Sequence, residues 1–452
     1  MKQRLILMAS TGVIILIVSS VLLIQFGTAA HAQDSTPVPS PEPTIAINPV
    51  MVSSLERVEA RLRDIRQIDA DNAPNRRMVS RAALQTVVDE DILSKYNQED
   101  ARRDTFFYVS FGFMEPETDL RPAVVSLVNA DPAGFYNIQR GIIYLPQSEE
   151  LAPFAAVLYA RLYAKALLDQ HFDVLAMLPD DMRRNNPDQA LAIQALFEGD
   201  AHLTTFEYTR QMIEEEEGFA DALMQQIANR TVSAPATAPE VLAAEQQFLH
   251  EEGSRFVETL FQETGNWRLV NLAYERPPLS TEHILHPTLY LLYEAPHPIP
   301  MPPIAPFLAT HPDGGEGWQL LFDRSLGEFY LREHLELALD GETASVAAAG
   351  WGGDRFQLYV KDTQTVMAWR LSWDSRTDQE EFEAQYFTFL NTWLGVGSSE
   401  FSGGISCWVS GTANVCKARL DDDTLLSFGH TPEIAIGLIE YLLETSTVRI
   451  IG

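Results

Sequence analysis

The sequence predicts an α+β protein in two parts, a mainly helical domain followed by a smaller α+β domain. Three observations predict it. Before position 300 four segments carry apolar residues at helical spacing, with only short strand-like runs between them. A dense proline stretch, Pro296 to Pro306, then interrupts the chain. Beyond it, strand-like runs alternate with helices. With 452 residues, 46% hydrophobic and 21% charged, the chain has apolar material for two or three buried cores.

The chain opens as an export signal does. Lys2 and Arg4 are basic, Leu5 to Phe26 is apolar, and Ala30-His31-Ala32 offers a small-x-small cleavage site before Gln33. Residues 1–32 are therefore expected to be a signal peptide. An uncleaved membrane anchor is the alternative, because the apolar run approaches the ~20 residues that span a bilayer. Residues 33–50, with Pro37, Pro39, Pro41 and Pro43, are polar and proline-rich and are expected to form a stiff linker. The protein is thus expected outside the cytoplasm, secreted or held at the membrane only by its N-terminal segment.

The folded region begins with Leu55, Val58, Leu62 and Ile65, spaced three and four apart, which predict a helix over Ser54 to Arg66. Phe106 to Phe113 reads as a strand. Phe135-Tyr136 and Ile142 to Leu145 read as two short strands around a turn, and Glu149 to His171 as a helix apolar over most of its surface. Asn186-Pro187 opens a further helix toward Tyr208, because Pro suits the first helical turn. The acidic run Glu214 to Glu217 belongs on a solvated surface. After a small, proline-containing break at Ala234 to Pro239, Phe248, Phe256, Leu260 and Phe261 mark another helix.

The domain boundary is placed at the Pro296 to Pro306 stretch, giving domains 51–300 and 301–452. The second domain has predicted helices at Glu328 to Leu339, Gln379 to Trp393 and Pro432 to Leu443. Its predicted strands are Phe356 to Val360 and Val366 to Trp373. Tyr359, Trp369 and Trp373 are either sheet core or an aromatic binding face. Cys407 and Cys416, the only cysteines, flank Ser410 to Ala413, which suits a disulfide across a β-hairpin.

A formal charge of −31, from 63 acidic against 32 basic residues, repels polyanions and argues against nucleic acid as a partner. No Gly-x-Ser-x-Gly elbow is present, so serine-nucleophile chemistry has little support.

One stretch resembles a zincin-like metallopeptidase family of exported bacterial proteins. That family carries G-F-Y-D-x-x-x-x-x-I-Y, then A-H-E-Y-T-H-A-L-Q-D-Q-H-F-D, then A-L-x-E-G-D-A. Gly134-Phe135-Tyr136-Asn137 with Ile143-Tyr144 fits the first element. Ala166-Leu167-Leu168-Asp169-Gln170-His171-Phe172-Asp173 fits the end of the second, and Ala195-Leu196-Phe197-Glu198-Gly199-Asp200-Ala201 fits the third. Ser280 to Pro287 is similar to the family's S-T-E-Q-I-L-H-P segment. The resemblance covers about Ser54 to Phe389 and implies a zincin-like first domain.

Aligned on Asp169 to Asp173, the family's H-E-Y-T-H falls on Arg161-Leu162-Tyr163-Ala164-Lys165. In an intact motif two His one helical turn apart ligate zinc, and the Glu between them activates water. Arg161 and Lys165 are protonated donors without a lone pair for a metal, and Leu162 cannot accept a proton. Glu198, the family's third ligand, remains. The resemblance therefore implies a pseudopeptidase, with no catalytic residue, metal or other cofactor expected and a salt bridge from Arg161 or Lys165 to Glu198.

Tyr136, His171, His202, His283 and His286 are the candidate cleft residues. His202 lies one helical turn from Glu198, and Ser280 or Thr281 is expected to cap a helix with Glu282 in its first turn. Three functions are carried forward: a non-catalytic module that binds a peptide, protein or cell-envelope component; a metal-dependent peptidase with a ligand set rearranged around Glu198 and His171; and a structural scaffold whose cleft is filled.

Overall fold

A computed structural model describes residues 44–70, 72–90, 96–128, 133–229, 239–401, 403–411 and 413–447. The expected signal segment and most of the linker lie outside the described residues. The protein is α+β, with a helical first part and a sheet-rich second part. It divides into two compact units. Unit 1 takes the described residues of Met1–Ala101, Asp119–Arg183 and Leu191–Pro278; unit 2 takes Arg102–Thr118, Arg184–Ala190 and the described residues of Leu279–Gly452. The division thus departs from the expected boundary at 300. Unit 2 begins its longest segment at Leu279 and also claims two earlier ones, because compactness follows packing and not the position of prolines.

In unit 1, helix α1 (Pro49–Arg66) starts five residues earlier than expected. The Asn48 side chain accepts the Met51 N–H at 2.8 Å and Pro49 fills the first helical position, a start signal inside the presumed linker. Leu55, Val58 and Leu62 are buried, as their spacing requires. Strand β1 (Asn75–Val79) precedes helix α2 (Arg81–Val88). β1 runs parallel to β3 (Ile142–Pro146), and β2 (Phe135–Asn137) pairs antiparallel with β3. Helix α3 (Pro153–Phe172) packs against α1, β2 and β3. Nearly every residue from Phe154 to Leu168 is buried, which accounts for its apolar surface all round.

Helix α4 (Pro187–Glu215) belongs to unit 1 from Leu191 onward, and its Glu214 and Glu215, like the following Glu216 and Glu217, are exposed as expected. Then come α5 (Phe219–Ala228), α6 (Glu240–Gln247), a π-helical turn (Phe248–Glu252), α7 (Gly253–Thr264) and α8 (Arg268–Glu275).

Unit 2 holds two short helices, α9 (Thr281–Leu285) and α10 (Pro287–Leu292), and a helix α11 (Glu328–Glu336). Its seven-stranded antiparallel sheet has the order β4-β5-β6-β10-β9-β8-β7. The strands are β4 (Gln319–Arg324), β5 (Trp351–Lys361), β6 (Gln364–Trp373), β7 (Ser399–Phe401), β8 (Ile405–Val409), β9 (Asn414–Leu420) and β10 (Asp423–Gly429). Helix α12 (Arg376–Leu394) separates β6 from β7, and α13 (Pro432–Thr447) closes the described chain.

Both faces of this sheet are covered. Tyr359, Val366, Ala368, Ala418 and Leu425 join Ile434, Leu438, Ile439 and Leu442 of α13 in one core. On the other side Phe111 stacks edge-on against Phe356 at 5.1 Å and Trp369 at 5.3 Å. Tyr359, Trp369 and Trp373 are buried, so the aromatic alternation is sheet core and not a binding face. Cys407 and Cys416 are register partners on β8 and β9 and form the expected disulfide.

The strand expected over Phe106 to Phe113 is instead the end of a helix, Gln98–Ser110, and the turn that follows it. A short aromatic run does not distinguish the two periods. The deciding features are Glu99 and Asp100 in the first turn and the i,i+4 pair Phe107 and Phe111, whose rings meet at 5.2 Å.

Candidate functional site

On α3, Arg161 and Lys165 stand one helical turn apart and therefore share a face. Glu198 reaches them from α4. Lys165 Nζ donates to Glu198 Oε1 at 2.6 Å, and Arg161 Nη2 donates to Glu198 Oε2 at 3.1 Å. The expectation of one cation or the other is thus met by both, one on each carboxylate oxygen. All three side chains are buried, with Arg161 2% and Glu198 4% exposed. Leu162, between them on the same helix, is also buried. It packs so close to Gly134 that a Cβ there would come within 2.8 Å of it.

A third participant comes from the π-helical turn. Arg161 Nη2 lies 2.8 Å from His250 Nδ1. Arg can only donate, so Nδ1 accepts and the His250 proton sits on Nε2. That nitrogen is buried without a partner, as is Arg161 Nε. Burial and the Arg161 charge drive the His250 pKa well below the usual imidazole range. Burial raises the Glu198 carboxyl, but the charges of Lys165 and Arg161 outweigh it and hold the pKa down at about 2. Burial also lowers the Lys165 pKa, against the pull of Glu198.

Close helix packing brings His250 here. A Cβ on Gly199 would lie 2.1 Å from Gly253 O, and one on Gly253 would lie 2.2 Å from Ala195 O. Both positions therefore require glycine for α4 and α7 to approach this closely. His202 Nδ1 meets Ser254 Oγ at 2.7 Å. The Ser254 hydroxyl donates to His250 O, so His202 Nδ1 is the donor. Burial and Arg161 push the His202 pKa down to about 4, leaving it neutral at pH 7.

The other residues singled out from sequence take structural roles. Tyr136 donates to Asp169 Oδ2 at 2.6 Å, tying β2 to the end of α3. Asp173 ends α3 in a left-handed conformation, and its carboxylate accepts the Ala176 N–H. His171 is exposed at the last turn of α3 and packs edge-on against Phe172. Asp200 binds Arg66 through both oxygens, at 2.8 and 2.9 Å, and accepts from Tyr274 at 3.1 Å. The matched Glu198-Gly199-Asp200 thus supplies a counter-charge, a close helix contact and a buried anchor for α1 and α8.

His283 and His286 belong to unit 2 and are described with it. His283 Nε2 donates to Glu294 O at 2.6 Å and its Nδ1 accepts the Leu279 N–H. His286 Nε2 lies 3.0 Å from Glu328 Oε1. Ser280 occupies the position before α9, yet its hydroxyl caps nothing and is buried without a partner. Thr281 does not cap the helix with its side chain either, because its hydroxyl donates to Asp188 Oδ1 at 2.5 Å and accepts the Phe329 N–H.

A pocket of about 500 Å³ opens between Gln67 and Asn266, Trp267, Arg268, Asn271 and Glu275, and its lining includes none of Arg161, Lys165 and Glu198. Among the described residues no group of three or more His, Cys, Asp or Glu side chains is placed to hold a metal ion. No helix among them is long and apolar enough to cross a membrane. Sequence reasoning misses His250; its one signal is a lone His within an apolar-rich helical segment.

A family model described as a domain of unknown function, DUF8575, matches residues 320–433, all within unit 2. No curated protein and no solved structure matches the chain.

Proposed function

We propose that this chain is a non-catalytic, metallopeptidase-like module, displayed outside the cytoplasmic membrane, that binds a peptide, a protein or a cell-envelope component. The single observation that supports it is the bridging of Glu198 by Lys165 and Arg161. In a zinc peptidase of the resembling family this carboxylate would face the metal. Here two fixed cations, one helical turn apart, satisfy both of its oxygens. Releasing Glu198 for a metal would strand them in a buried site, at a cost of several kcal/mol. The rearranged-peptidase reading also requires His171 to join Glu198, whereas His171 is exposed at the helix end.

The scaffold reading draws on one specific observation, that Arg161, Lys165, Leu162 and His250 fill the motif region with buried side chains. It differs from the binding reading in predicting that no ligand is retained. The test is metal analysis of purified residues 33 to 452 with a peptide-library cleavage and retention assay. The proposal expects no stoichiometric zinc, no cleavage and selective retention of a peptide class. Stoichiometric zinc with cleavage would overturn it, and absence of any retained ligand would favour the scaffold.

A further inference from the structure

The pocket of unit 1 runs along one face of α8. Arg268, Asn271, Leu272 and Glu275 line it, and offsets of three, four and seven residues place them on a single helical stripe. Trp267, at the head of the helix, is fixed from three sides. Its indole N–H donates to Ile65 O at 2.8 Å, Phe261 packs edge-on at 4.9 Å, and the Arg66 guanidinium lies over the ring at 4.3 Å. This part of the lining is therefore held in place before any ligand arrives. At about 500 Å³ the pocket is of the size that holds small ligands.

The charges on this stripe are set against the helix that carries them. Arg268 is the first residue of α8 and Glu275 the last, with no acidic residue in the first turn and no basic one in the last. A helix favours the opposite order, because its N-terminal end is positive and its C-terminal end negative. Arg276 follows the helix but does not line the pocket. Neither the Arg268 guanidinium nor the Glu275 carboxylate forms an ion pair or hydrogen bond among the described residues. A local choice that opposes its own element is expected where a ligand supplies the compensation.

We propose that this pocket binds a short peptide with both ends free, about three residues long, with its carboxylate at Arg268 and its ammonium at Glu275. Seven helical residues rise about 10 Å, and three extended residues span about the same distance between their ends. Each contact pairs a side chain that has no partner and sets beside a helix end the sign of charge that end prefers. Between the two charges, the half-buried Leu269 and Leu272 offer apolar surface to the middle of the peptide. The Gln67 side chain, which makes no hydrogen bond among the described residues, is in the same lining and can pair with peptide N–H or C=O groups. An internal segment of a long chain lacks both charged ends and is refused.

This site is independent of the reading of Glu198. Its test is isothermal titration calorimetry of the full chain with trialanine, its N-acetyl form and its C-terminal amide. Trialanine should bind, and blocking either end should weaken binding by about tenfold or more. Arg268→Gln should bind the free acid and the amide alike, and Glu275→Gln should bind the free amine and the N-acetyl form alike. Both side chains are exposed, so neither change disturbs the core. Trialanine that does not bind, or that binds no better than its blocked forms, would overturn the inference. A peptide that binds the native chain and both variants equally would be held elsewhere, which overturns this site and leaves the proposed function standing.

Discussion

Lys165 Nζ stands 2.6 Å from Glu198 Oε1, and Arg161 Nη2 reaches the other oxygen of the same carboxylate at 3.1 Å. Two fixed cations thus answer one buried carboxylate. The pair is buried, so its worth is best judged by what happens when one member is removed.

Glu198→Ala leaves Lys165 and Arg161 buried without their counter-charge. The expected cost is about 3–5 kcal/mol, read as a lower urea midpoint with an unchanged m-value. Replacing all three, as Arg161→Met, Lys165→Met and Glu198→Leu together, should come close to the native stability. A triple variant less stable than Glu198→Ala would mean that the ion pairs contribute net stability beyond their mutual compensation.

The same pair sets an acid limit. The folded pKa of Glu198 is held at about 2, below an unfolded value of about 4.3. Its contribution is fully present above the unfolded pKa and is lost as pH falls toward the folded one. Between about pH 4.3 and 2 the native chain should lose on the order of 3 kcal/mol from this group. Unfolding free energies measured across that window in the native chain and Glu198→Gln should differ in slope; parallel slopes would contradict the assignment.

Gly199→Ala places a methyl 2.1 Å from Gly253 O, a backbone atom that cannot rotate away. A loss of about 1–3 kcal/mol or more is expected. His250 should shift with its turn, so the ring protons of His202 and His250 should move in the NMR spectrum. A stable variant with unmoved histidine signals would show that α4 and α7 separate without consequence.

Reducing the Cys407–Cys416 bridge, which closes a loop of nine-residue separation, should cost about 2–3 kcal/mol by chain-entropy reasoning. Cys407→Ser with Cys416→Ser, compared by thermal unfolding with the oxidised protein, measures it. The sheet and α13 should persist in the far-ultraviolet circular dichroism spectrum, because the flanking core is apolar on its own.

The pairing of Arg161 with Lys165 was legible because a helix fixes which residues share a face. That Arg161 and Lys165 share a face follows from their spacing, and Glu198 as their counter-charge came from what the resemblance implies. His250 was not legible. It sits in a π-helical turn, where one extra residue rotates the following positions and breaks the period on which a sequence pattern rests. The surroundings of Asp169 and His171 were not legible for a related reason. His171 and Asp169 share a motif, yet one faces solvent while the other holds Tyr136.

By itself the sequence determined the helices with a consistent apolar stripe and the hairpin with its disulfide. Those features depend on neighbours within one or two helical turns or across one β-turn. Only the tertiary structure decided that Gln98–Ser110 is a helix, that both faces of the sheet are covered, and that His250 meets Arg161. Periodicity states which face of an element is apolar. What covers that face, and how much water a charge keeps, is set by segments far away in the chain.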